Sequence, residues 1–165
     1  MSHYDETGQE IWDQTEGKVD YCIMGVGTGG TITGIARKLK EKNPNITMVG
    51  VDPPGSILAS DPKMNEDNPA APGGQVTEGT GYDFIPRCYD QTIVDDFIKG
   101  PDKESFIMAR RLMKEEGLMC GGSSGQAMWG AIEWIKKNKI GKGKTVVVVL
   151  ADGIRNYMTK HLSAD

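Results

Sequence analysis

The sequence predicts an α/β fold: an open, mostly parallel twisted sheet with helices on both faces. Three observations carry that expectation. A β-branched and aromatic run, Val19, Tyr21 and Ile23, stops at Gly25 and gives way across a glycine-rich stretch to Ile32, Ile35, Ala36 and Leu39 at helical spacing. Asn43-Pro-Asn45 then breaks the helix before a second strand at 46–52, which completes a βαβ unit. Late in the chain, Thr145-Val-Val-Val-Val-Leu150 reads as a buried strand. Parallel strands joined by helices need cover on both faces, and such sheets present ligands at the carboxyl ends of their strands.

The 165 residues suffice for one good core, so a single α/β unit over 1–165 with a long loop at 53–77 is expected. A formal charge of −4 without any lysine and arginine run argues against nucleic acid or an anionic membrane as partner; Arg37-Lys-Leu-Lys40 reads as a solvated helix face. No apolar run approaches membrane-spanning length and the first residues lack a signal-peptide pattern, so the expected location is cytoplasmic. Cys22, Cys88 and Cys120 are odd in number and lack ligand spacing, which fits reduced, structural thiols. With His3 and His161 near opposite ends, no metal site or histidine-based triad is expected.

In chain order, the polar opening holds one short helix anchored by Ile11 and Trp12 and ended by Gly17. From 53 to 75 five prolines, Pro53, Pro54, Pro62, Pro69 and Pro72, mark a surface excursion with at most one helical turn. The stretch 76–86 places glycines on both sides of Thr80 and reads either as a connection with Tyr82 and Phe84 in the core or as a substrate loop. A helix at 102–116 follows, capped by Asp102 or Ser105, with Phe106, Ala109, Leu112 and Met113 inward and Gly117 past its end. Leu118-Met-Cys-Gly-Gly-Ser-Ser-Gly125 repeats the design of the first loop and opens a helix bearing Met128, Ile132 and Ile135, so the two loops could face one pocket. Ser123 or Ser124 serves that pocket or caps the helix. Asp152, at the carboxyl end of the last strand, is either a ligand residue or the cap of a helix through Tyr157 and Met158.

The turn between the first strand and helix makes an anion site. Its backbone N–H groups and those of the first helical turn point outward together, the helix dipole adds positive charge there, and Thr28 and Thr31 can donate hydroxyl hydrogen bonds. Two alternatives stay open on the residues alone. Gly25-x-Gly27-x-x-Gly30 with Asp52 about 20 residues on fits a nicotinamide dinucleotide-binding domain. A non-catalytic phosphate-binding module is the other. A nucleoside triphosphate loop is excluded because no Gly-Lys-Ser/Thr follows.

Several ordered segments resemble the cystathionine β-synthase family of tryptophan-synthase-β-like, fold type II enzymes dependent on pyridoxal 5′-phosphate (PLP). They are the run from Gly27-Thr-Gly-Gly-Thr31 through Lys42, Gly50-Val-Asp-Pro-Pro-Gly-Ser-Ile-Leu58, Glu78-Gly-Thr-Gly-Tyr-Asp-Phe-Ile-Pro86, Cys120-Gly-Gly-Ser123 and Arg155-Asn-Tyr-Met-Thr-Lys160. Cysteine synthases share the first loop and the neighbourhood of His3 and Tyr4, while the last three segments favour the cystathionine enzymes. The resemblance implies that Gly27, Thr28, Gly29, Gly30 and Thr31 hold the PLP phosphate and that Ser123 meets the pyridine nitrogen. A neutral hydroxyl there leaves the ring a weaker electron sink than a carboxylate would, which suits β-replacement. Gly79 and Tyr82 belong by the same resemblance to the substrate loop.

The implied activity is that of a lyase condensing serine or cysteine with homocysteine in transsulfuration, a route of cysteine biosynthesis. The resemblance covers the C-terminal half of that family's catalytic core. The lysine that anchors the cofactor belongs upstream and no lysine here has a matching context, so this stretch alone is expected to be inactive. The implied partners are amino-acid substrates, the N-terminal half of the core and further copies in a homo-oligomer; haem would enter only through regions outside these residues. Ala151 and Thr80 depart from the family's usual proline and isoleucine.

Overall fold

The computed structural model describes residues 2–66 and 74–159. Part of the 53–75 excursion, with Pro69 and Pro72, and also Lys160 and His161, lie outside the described residues. Four strands form one all-parallel sheet: β1 (Tyr21–Gly25), β2 (Thr47–Asp52), β3 (Asp96–Lys99) and β4 (Val146–Val149), in the order β3-β2-β1-β4. At the centre Ile23 sits opposite Val49 on one side and Val148 on the other.

Alternation along the strands sends side chains to two cores. Cys22, Met24, Met48 and Phe97 face α2 (Gly30–Lys42, after α1 at Gly8–Gln14), whose Ile32, Ile35, Ala36 and Leu39 are buried against them. Ile23, Val49 and Val51 face the other way, onto Ala131 and Trp134 of α5 (Gly122–Lys137). Each such fully buried aliphatic side chain contributes about 1.5–3 kcal/mol. The short α3 (Pro62–Glu66) supplies a helical turn in the described part of the excursion, and α4 (Asp102–Glu116) packs on α5. Helices on both faces of a parallel sheet are the expected class. Ile11 and Trp12 pack against the first core as anchors, and Gly117 ends α4 in the left-handed region at φ 72°.

Several elements differ from the sequence expectation. β4 is half-buried along its length because, among the described residues, it is an edge strand with a neighbour only at β1. The inward face of α5 is Ala127, Gly130, Ala131 and Trp134, while Met128, Ile132 and Ile135 are half-buried. Small residues win that face because the helix lies close to the sheet. A Cβ on Gly130 would meet both Val51 methyls at 2.7 Å. Trp134 fills the wider end, its indole N–H donating to Asp96 Oδ2 at 2.7 Å. On α4 Ser105 and Met108 are buried with Ala109 and Leu112, whereas Phe106 and Met113 are half-buried.

Neither predicted cap of α4 holds: Pro101 precedes the helix, Asp102 is its first residue, and Ser105 bonds back to Pro101 O at 2.6 Å. Gly121, not Ser123 or Ser124, is the N-cap residue of α5. Phe84 is 54% exposed, stacked edge-on against Tyr82 at 4.9 Å between ring centres, so it is no core residue.

Candidate cofactor-binding site

β1 delivers the chain to Gly25, and the turn Gly27 to Gly29 leads into α2. Both glycines are required by crowding: a Cβ on Gly27 would lie 2.3 Å from Gly79 O, and one on Gly29, held at φ +80°, 2.3 Å from Tyr89 Cβ. No side chain caps α2, so the N–H groups of its first turn are left for an outside acceptor. A cleft of about 310 Å³ opens there, at the low end of the range for small-molecule sites. Gly25 through Gly29 and Thr31 form one wall; Glu78, Gly79 and Thr80 cover it; Ser123 faces it from α5; Ala151, Asp152 and Tyr157 close the far end. The two glycine-rich loops therefore share one hollow at the carboxyl ends of β1 and β4.

Asp152 stands in that hollow and caps no helix. Its carboxylate accepts the Tyr157 hydroxyl at 2.5 Å, and this bond, with burial, pushes the phenol up to about 12. A Cβ on Gly121 would meet Asp152 Oδ1 at 2.3 Å, so glycine there lets the carboxylate rest against the start of α5. On the opposite side Thr31 Oγ1 bonds to His3 Nε2 at 3.2 Å, and His3 Nδ1 to Thr7 Oγ1 at 3.1 Å. The first turn of the chain, a π-helical segment at His3–Thr7, is thereby fastened to α2.

The family model for pyridoxal-phosphate dependent enzymes matches residues 1–152. The chain belongs to the pyridoxal-phosphate dependent enzymes. It is 58% identical over 165 residues to cystathionine beta-synthase of Dictyostelium discoideum, covering 100% of this chain and 32% of the relative. Likeness to the proteins of that name from Apis mellifera and Rattus norvegicus is 52% and 50% over 163 residues, 99% of this chain and 31% and 28% of theirs. The chain thus spans about a third of the length of the curated relatives it matches.

A pyridoxal-phosphate dependent enzyme needs a seat for a phosphate and a polar partner for the ring. The cleft fits both demands: a glycine cradle that a Cβ would fill, an uncapped helix N-terminus, and the hydroxyl-bearing residues Thr28, Thr31 and Ser123 in its lining. Gly27, Thr28, Gly29, Thr31, Gly79 and Ser123 all line it. Gly30 faces a second cleft behind the turn, beside His3, Thr33 and Arg37. Tyr82 is not part of the cleft wall; it packs against the first core, its backbone held by Ser56 and Ile57.

Asp52 is unavailable to a ribose. It is fully buried, with Lys99 Nζ 3.0 Å from Oδ2; burial holds its carboxyl above the ordinary range, and the ammonium opposes that rise. The dinucleotide alternative thus loses its acid. Lys99 itself is pinned, donating to Asp52, to Ser56 O at 2.8 Å and to Asn65 Oδ1 at 3.2 Å. No lysine is among the described residues lining the cleft. The described residues also hold no cluster of histidine, cysteine and carboxylate side chains fit for a metal, and no helix among them is long and apolar enough to cross a membrane.

Sequence reasoning missed Tyr157 and His3 as neighbours of the site. Tyr157 lies inside the segment at 155–160 that carries the family resemblance, which is a usable signal. The His3 to Thr31 bond spans 28 residues and has no local signature.

Proposed function

We propose that the cleft seats pyridoxal 5′-phosphate as part of an enzyme that condenses serine or cysteine with homocysteine by β-replacement. The single observation that carries the reading is that the turn at Gly27 to Gly29 and the hydroxyl-bearing Ser123 face one hollow. The similarity to proteins named cystathionine beta-synthase supports the choice of reaction.

Bound there, the cofactor supplies an electron sink through which a β-substituent can leave an amino acid and a thiol can take its place. The chain's own residues bind and orient. Backbone N–H groups from Gly27 to Thr31, with the Thr28 and Thr31 hydroxyls, take the phosphate, Gly30 contributing only its amide as the first residue of α2. Ser123 would meet the pyridine nitrogen with a neutral hydroxyl, which would leave the ring a weaker electron sink than a carboxylate partner would. Gly79 brings its loop down onto the turn, and Tyr82 supports that loop from behind.

The anchoring lysine comes from a further segment of the catalytic core. An outer edge of β4 that no strand among the described residues pairs with, and the exposed Met119 and Met158, support a second lobe packing here, and homo-oligomer formation belongs to the complete enzyme. Three unpaired thiols support a cytoplasmic location.

Titrating the 165-residue chain with PLP and separately with NADH, while following Trp12, Trp129 and Trp134 fluorescence, tests the reading. Saturable quenching by PLP that excess inorganic phosphate relieves is expected. Quenching by NADH and none by PLP would overturn it. Mixed with PLP, serine and homocysteine, the chain by itself should release no cystathionine above a protein-free control.

A further inference from the structure

The loop 75–82 lies directly on the glycine turn. Gly81 donates its N–H to Val26 O at 2.8 Å, Gly79 O occupies the space a Cβ on Gly27 would need, and the Thr80 methyl occupies that beside Gly25. Its upstream end is gripped from elsewhere in the fold. Asp102 Oδ2 accepts the Val76 N–H at 2.8 Å, while Oδ1 accepts the Thr77 N–H at 2.8 Å and the Thr77 hydroxyl at 2.5 Å. Between the two ends Gln75 braces the loop from inside, donating from Nε2 to Thr77 O at 2.5 Å and Thr80 O at 2.6 Å.

Asp102 is also the first residue of α4, and the start of α4 is seated on the start of α5. A Cβ on Gly125 would meet Ser105 O at 2.1 Å and Ala109 N at 2.6 Å. Ser123 therefore rides on the same rigid pair of helices that holds the loop. We propose that Asp102 is a positioning residue that sets the height of the Gly79 loop above the cleft relative to Ser123. This rests on the cofactor reading given above, since that reading makes the loop functional.

The carboxylate is needed for its acceptors, not only for its shape. Three donors converge on two oxygens, whereas asparagine offers one oxygen and an NH₂ group, so a backbone N–H at Val76 or Thr77 would face another donor. The positive end of α4 favours the anion in the same place.

Amide hydrogen exchange on the 165-residue chain tests the proposal. In Asp102→Asn the amides of Val76, Thr77 and Gly81 should exchange about tenfold faster while Met24 in β1 and Val49 in β2 keep their rates. Thr77→Val, which keeps the shape and removes the hydroxyl, should show the same pattern at smaller amplitude. Glu104→Gln takes the same charge from the same helical turn and should leave the loop unchanged. Unaltered loop exchange in Asp102→Asn, or a rise spread evenly into β1 and β2, would overturn the proposal. PLP binding by the unmodified chain is measured alongside: its failure removes the cofactor reading, while the exchange pattern does not depend on it.

Discussion

Lys99 places its ammonium 3.0 Å from the carboxylate of Asp52, with side-chain exposures of 5% and 0%. The pair joins the ends of β3 and β2, and Lys99 reaches on to Ser56 O and Asn65 Oδ1, so it also fastens the excursion that leads into α3. Ser56 in turn donates to Tyr82 O at 3.3 Å and accepts the Tyr82 N–H at 3.1 Å. A buried ion pair outside the cleft wall thus steadies the downstream end of the Gly79 loop.

Removing Lys99 leaves the buried Asp52 carboxyl without its charge partner, to stay ionised at a desolvation cost or to take up a proton. Lys99→Met should cost about 3–5 kcal/mol in urea unfolding with an unchanged denaturant slope. Burial already favours the protonated form of Asp52, so the loss should be smallest in acid and grow as pH rises through its raised value. Asp52→Asn combined with Lys99→Met should recover part of the stability, and a double variant no better than the single would count against the pairing.

The three cysteines should separate by reactivity. Cys22 sits in the first core, where burial pushes its thiol up to about 12, and burial also raises Cys120. Cys88 is exposed, with Sγ 2.9 Å from Thr28 O. A disulfide reagent should label Cys88 in the native chain and reach Cys22 only with denaturant. Rapid native labelling of Cys22 would contradict the packing of β1 on α2.

Acid should loosen the join between β1 and β4. Asp20 accepts Lys144 Nζ at 2.7 Å and the Thr145 N–H at 2.9 Å, and these bonds, the lysine's first, lower its pKa from the ordinary 3.8. A carboxylate lowered on folding contributes stability that is complete above its unfolded value and lost as pH falls through the folded one. Asp20→Asn should melt below the parent near neutral pH, and the gap should close below pH 3.8. An equal gap at both pH values would assign the loss to something other than this titration.

How far the sequence could be read depended on the range of the interactions. Strand, turn and helix at 19–42 are local, so alternation, glycines and helical spacing sufficed to find them and to place an anion site. The inner face of α5 is not legible from hydropathy, which weighs Met128 and Ile132 above Gly130 and Ala131, while the sheet's closeness selects small residues. The edge position of β4 is a property of strand order, which Val146 to Val149 do not encode. Asp102 was read as a helix cap because its real partners, Val76 and Thr77, lie 26 and 25 residues away. Gly79 and Tyr82 came from the family resemblance, and only coordinates separate the one that lines the cleft from the one behind it.

Two glycines three residues apart should answer differently to the same added methyl group. On Gly27 it would lie 2.3 Å from Gly79 O, a backbone atom that can yield only if the loop lifts off the turn. On Gly30 it would meet nothing within 4 Å, and that residue has no left-handed φ to strain. Gly30→Ala should melt no lower than the parent, since at a position whose backbone alanine can adopt the change reduces the freedom of the unfolded chain. It should also still take PLP, because the amide it offers is unchanged. Gly27→Ala should weaken PLP binding by about tenfold or more, the cost of giving up the loop's bonds to the turn. Its circular dichroism should stay that of the parent, because the sheet is untouched. Equal PLP affinity in both variants would mean that Gly79 does not close over the turn at all.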